Sequence, residues 1–151
     1  MAAIKRFEDL KCWQEARRLV KFVFTLTQKE TFQKEYELRG ALRKTLISVM
    51  NNIAEGFSRF NKNDFLRFLD YSQSSASELM SLTYVVEDMA LADHEEVQTF
   101  RQLILATRIP TLGLVKYLRQ TDFKKSAVND PGHDYKPSTS QDPAIDQTIT
   151  P

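Results

Sequence analysis

Apolar residues recur at helical spacing through most of this chain, in four separate blocks. In the first, Cys12, Ala16, Leu19, Val20, Val23, Leu26 and Thr27 fall on one face, flanked by Trp13 and Phe24. The pattern predicts a helix over about residues 9–27, with Asp9 as its N-cap. A polar connection, residues 28–34, leads to a second helix over about 35–57. Leu38, Leu42, Leu46, Val49 and Ile53 form its central stripe, and Ile47, Met50, Ala54 and Phe57 widen it to about half the circumference. An arc that wide buries against more than one neighbour. Arg39 and Arg43 fall inside the arc, so each needs a carboxylate or must reach water. Gly56 reads as a C-terminal cap with positive φ.

The third helix is predicted over about residues 64–90, capped by Asn61 or Asn63. Phe65, Phe68, Leu69, Ser72, Ala76, Leu79, Leu82, Thr83, Val86 and Ala90 mark its buried side. A second stripe, Tyr71, Ser75, Glu78, Leu82, Val85 and Met89, is either a subunit seam or part of a broad core. Asp93 with Glu96 forms a capping-box pattern for a fourth helix over about 94–119. Its inner face is Val97, Phe100, Leu103, Ile104, Thr107, Thr111, Leu114, Val115 and Leu118. Leu105, Ile109 and Leu112 form an outer stripe that suggests self-association. Pro110 should kink this helix rather than break it, because the periodicity continues in phase. Short connections make successive helices antiparallel, so residues 1–120 read as an all-α, up-down-up-down four-helix bundle. Residues 121–151, rich in Pro, Ser and Asp, read as a disordered tail.

Composition narrows the class. The chain has 151 residues with 4 glycines and 5 prolines, which disfavours a strand-rich fold. Its single cysteine, Cys12, excludes an internal disulfide and fits a reducing, cytoplasmic setting. No apolar run approaches the ~20 residues that span a membrane, and residues 1–10 lack a secretory h-region. The net charge is only +1, yet it is unevenly spread. Residues 68–96 contain no Lys or Arg, and residues 97–120 contain no Asp or Glu.

Catalytic chemistry finds little support. His94 and His133 lack partners at zinc-ligand spacing, and no glycine-rich phosphate loop or nucleophile elbow occurs. No catalytic residue, metal ligand set or cofactor is expected, and the chain reads as a non-enzyme. Glu55 and Glu78 admit two readings: a paired-carboxylate or metal site, or, with Arg43 and Asn52, a structural polar network between helices two and three. The network is favoured, because the Glu-x-x-His motifs of di-metal bundles are missing. Basic residues offer a further possibility. Lys11, Arg17, Arg18 and Lys21 line the polar face of helix one, and Arg59 and Lys62 lead into helix three. They are either a solvated face or a surface for RNA phosphates, read by backbone and shape.

Several residues together suggest a family. They are Phe7-Glu8-Asp9-Leu10, Trp13-Gln14-x-Ala16, Glu35-x-x-Leu38, Arg43, Ser48, Asn52-Ile53-Ala54-Glu55-Gly56, Phe65-x-x-Phe68-Leu69 and Ser75-x-x-Glu78-Leu79. Over about residues 5–120 the chain resembles the four-helix-bundle proteins named for the intervening sequences of 23S ribosomal RNA genes. The resemblance implies an up-down-up-down bundle that assembles as a homopentamer with a central channel, and it does not imply an enzyme. A related branch looks like the accessory protein of diversity-generating retroelements, which partners a reverse transcriptase and its RNA. Expected partners are therefore further copies of the chain, RNA or a nucleoprotein, and alternatively a reverse transcriptase.

Overall fold

A computed structural model of the chain describes residues 4–121. The expected tail, 121–151, lies outside the described residues but for Thr121. Four helices carry the structure: α1 (Lys11–Leu26), α2 (Tyr36–Ser58), α3 (Lys62–Asp88) and α4 (His94–Gln120). There is no strand among the described residues. Each helix packs on its chain neighbours, and α4 closes against α1, which makes a ring of four. Thr45 and Ser48 of α2 bond Glu78 and Ser75 of α3, and Gln73 and Thr83 of α3 bond Arg108 and Arg101 of α4. In both pairs the numbers rise on one helix as they fall on the other, so these neighbours run antiparallel.

Most of the core comes from the stripes read from periodicity, although Ala90, expected on the buried side of the third helix, is exposed and lies past its end. Leu19, Val23, Leu42, Leu46, Ile53, Leu69, Leu79, Val86, Phe100 and Ile104 are wholly buried. The hydroxyls on these stripes are also satisfied. Ser72 donates to the Val49 carbonyl across the α2–α3 contact at 2.8 Å, and Thr111 donates to the Thr107 carbonyl at 2.7 Å. Helix α4 runs unbroken through Pro110, and Gln73 donates to the Arg108 carbonyl at 3.0 Å nearby.

Helix ends separate local signals from tertiary ones. The Asp93–Glu96 capping box forms in both directions, at 2.8 and 2.9 Å. Asn61 caps α3, its Oδ1 accepting from the Asp64 N–H at 2.8 Å. Asp9 is not the cap of α1. It closes a 3-10 turn, Phe7–Asp9, and the buried Leu10 stands at the N-cap with no side-chain bond. The connection between α1 and α2 is less polar than its composition suggests, because a 3-10 turn, Glu30–Phe32, drives Phe32 fully into the core. Ile47, expected inside the α2 arc, lies outside it and is exposed.

Gly56 is the main correction. It has no positive φ and sits inside α2, buried. A Cβ there would lie 2.8 Å from Phe68 Cβ and 2.9 Å from Phe65 Cδ2. The glycine is needed because α3 approaches closely, not because the chain turns. Among the described residues the one with positive φ is Ala90, at 51°. Leu91 N–H bonds the Val86 carbonyl and Ala90 N–H bonds the Glu87 carbonyl, each at 3.0 Å, which ends α3 in a Schellman motif. Leu91 tucks into the core to complete it.

Candidate nucleic-acid interface

The outward face of α1 holds Lys11, Arg17, Arg18 and Lys21, all exposed. They are displayed there because the opposite face, Cys12, Ala16, Leu19 and Val23, is committed to the core. The only acid on this helix is Glu15, and it is buried, at 5% exposure. Its carboxylate is bridged by Lys11 Nζ at 2.6 Å and Arg18 Nη1 at 2.9 Å. The hydrogen bond from Lys11, helped by the charge of Arg18, holds the Glu15 carboxyl below the usual carboxylate range, against burial, which raises it. Arg17 leans over the Trp13 ring at 5.9 Å. Lys21 makes no ion pair among the described residues. The face thus presents four cations and a single, covered anion.

Arg59 and Lys62 stand at the α2–α3 turn. Arg43 near the start of α2 bonds Thr27 at the end of α1 and stacks on Phe24, so the two helices run antiparallel and the α2–α3 turn shares an end of the bundle with Lys11. Lys21 is ten residues further along α1, about 15 Å away. Arg59 is ion-paired with Glu55 one helical turn back and lies over the Phe68 ring at 4.6 Å. Lys62 donates to the Thr121 carbonyl at 3.0 Å. The α1 group is one stripe along an exposed helix face, with Lys11 and Arg18 sharing Glu15, while Arg59 and Lys62 bond Glu55 and the Thr121 carbonyl.

Arg43, Asn52, Glu55 and Glu78 do not join into one network. Arg43 donates to Thr27 Oγ1 at 3.0 Å and stacks on Phe24 at 4.7 Å, which ties α2 to α1. Asn52 donates to Ser48, on its own helix. Ser48 meets Ser75 at 3.0 Å, and Glu78 accepts from Thr45 at 3.2 Å. Glu55 pairs with Arg59 instead. Thr45 and Glu55 lie about 15 Å apart along α2, so Glu55 and Glu78 act at different levels of the bundle. Among the described residues no three His, Cys, Asp or Glu side chains gather as a metal site would require.

Two polar groupings between α3 and α4 escape periodicity altogether. Arg101 donates to Thr83 Oγ1 at 3.0 Å and to Glu87 at 2.7 and 3.3 Å, with its guanidinium 4.2 Å from the Tyr84 ring. The Arg101 hydrogen bond lowers the Glu87 carboxyl from its ordinary range. Gln73 both donates to the Arg108 carbonyl and accepts from its Nε. The signal that could have found the first grouping is Arg101 standing on a run without acids, opposite a run without bases. Cys12 plays no part in these surfaces: it is buried in the core, and burial pushes its thiol up to about 11.

The architecture is that of a four-helix, all-α protein whose distinctive surface is a cationic helix face. The chain matches the sequence model of the 23S rRNA-intervening sequence protein family over residues 8–108, and it belongs to that family. A search of curated proteins returns no match. No helix among the described residues is long and apolar enough to cross a membrane.

Proposed function

We propose that the chain is a non-enzymatic, self-assembling bundle of the cytoplasm that binds RNA or a nucleoprotein through the cationic face of α1, with the α2–α3 turn at its edge. The observation that supports this reading is the α1 stripe, where Lys11, Arg17, Arg18 and Lys21 face outward over the single buried acid Glu15. Phosphate contacts of this kind release counterions, so binding weakens as salt rises. The family resemblance supports assembly as a homopentamer, which would repeat the stripe around a ring. Changing Arg17, Arg18 and Lys21 together to Glu tests the surface by fluorescence anisotropy on a structured RNA at low salt. Affinity should fall at least about tenfold, and the slope of log affinity against log salt should flatten by roughly 0.7–0.9 for each phosphate no longer neutralised. An unchanged affinity would remove α1 from the interface.

A second reading is an accessory scaffold for a reverse transcriptase. It is supported by Tyr71, Val85 and Met89, which remain exposed on the α2 flank of α3. A reverse-transcriptase gene beside this one would favour the scaffold, and a ribosomal RNA operon would favour RNA binding.

A further inference from the structure

Helix α4 exposes three large apolar side chains in one row. Leu105, Ile109 and Leu112, spaced i, i+4, i+7, are 46%, 67% and 52% exposed. They have no inward place to go, because Ile104, Thr107, Thr111 and Val115 already fill the core side of the helix. On the adjoining helix, Asp70, Ser77, Ser81, Tyr84 and Asp88 share one exposed ridge of α3. The Arg101 and Gln73 bonds lie along the groove between the two helices.

Charge is divided across this groove. Arg101–Glu87 is the only ion pair between α3 and α4 among the described residues. Asp70 and Asp88 on α3, and Lys116 and Arg119 on α4, are all exposed and make no ion pair there. No base lies on the α3 ridge and no acid lies anywhere on α4 from residue 97. A lone protomer therefore displays an apolar row with a cationic end beside a small-residue ridge with anionic ends.

We infer that the α3–α4 face docks a second copy of this chain, with the Leu105–Ile109–Leu112 row of one copy seated on the Ser77–Ser81 ridge of another. This inference rests on the self-assembly proposed above and names its seam. The fit has two parts. Serines at 77 and 81 leave depth in the α3 surface for the projecting row of α4, as ridges need grooves. The exposed bases of α4 then meet the exposed acids of α3, a pairing of opposite potentials that also rejects α3 against α3 and α4 against α4.

Light scattering on the full chain at micromolar concentration tests this. The expected mass for the unaltered chain is a multiple of 17.5 kDa. The double change Ile109→Glu with Leu112→Glu should reduce it to one chain, with the helical circular-dichroism spectrum and the cooperative thermal transition retained, because both residues are exposed. A second measurement stands apart from stability. Protein carrying Ser77→Cys, mixed under oxidation with protein carrying Ile109→Cys, should give a disulfide-linked pair containing one of each. Cys12 is buried and should stay out of the exchange. A single-chain mass for the unaltered protein would overturn self-assembly and the seam together. An assembly that survives the glutamate changes, or a mixture without the cross-linked pair, would overturn the seam and leave self-assembly standing. A row shielded only when RNA or a different protein is added would also overturn it.

Discussion

Replacing Gly56 by alanine adds one methyl group at the tightest point between α2 and α3. Two effects oppose each other. Alanine is the better helix residue, which favours the variant by about 0.5–1 kcal/mol. Against this, the new Cβ would lie 2.8 Å from Phe68 Cβ, 2.9 Å from Phe65 Cδ2 and 3.3 Å from the Phe65 carbonyl oxygen. Phe68 Cβ and the Phe65 carbonyl belong to the first turns of α3, so relief requires the helix itself to move. Ser72 and Ser75 fasten that helix to α2 further along. Overpacking of this kind typically costs about 1–3 kcal/mol, so after the propensity gain the net loss should reach up to about 2.5 kcal/mol. The same substitution at Gly40 and at Gly113 provides the control. Both lie inside helices, and a Cβ at either position meets nothing within 4 Å. Those two variants keep the propensity gain and should be stabilised by up to about 1 kcal/mol. Urea unfolding of the three variants, fitted for midpoint with the slope held common, reads the signs directly. If Gly56→Ala shifts the midpoint upward as the other two do, close approach is not the reason for the glycine.

Two further outcomes are expected. Ala90→Gly should raise stability by about 0.5–1 kcal/mol, because Ala90 holds a φ of 51° that only glycine adopts without strain; a lower thermal midpoint would refute this. Glu15 and Glu87 have folded-state pKa values below their ordinary range, so their contribution is complete above the usual carboxylate pKa and is lost as pH falls through the folded value. The urea midpoint should therefore drop on acidification from pH 7 toward about 3, and less steeply in a Glu15→Gln, Glu87→Gln double variant; equal slopes would show that other carboxylates govern the acid limb.

The stripes on all four helices were legible because burial repeats every turn. The caps at Asn61 and Asp93 were legible because their partners sit three residues away. What failed depended on contacts between elements. Gly56 follows a long apolar stretch, where glycine ordinarily marks an end, and only the rings of Phe65 and Phe68 reveal its role. Ala90 carries no local signal for positive φ, and the Leu91 anchor imposes it. Glu15 carries no signal in the helix pattern, and only the structure shows Lys11 and Arg18 folding over it from i−4 and i+3. Arg43, Asn52, Glu55 and Glu78 were grouped by chemistry. Their actual partners follow from the register of α2 against α1 and α3, which a single helix pattern does not contain.

The ring order of the helices bears on whether the two proposed surfaces can coexist. Helix α1 packs on α2 and α4, so it stands diagonally across the bundle from α3. A seam on the α3–α4 face leaves the α1 stripe turned outward, and assembly multiplies that stripe instead of hiding it. One stripe offers few phosphate contacts, since Glu15 already engages two of its four cations. Copies joined through α3 and α4 would present several stripes to a single RNA, and each contact after the first would form at the high effective concentration of a tethered site. Avidity, more than the charge of any one protomer, would then set affinity. This would let a chain of net charge +1 act on a polyanion, because α1 carries four bases and one acid, Glu15, and each added copy would repeat that excess.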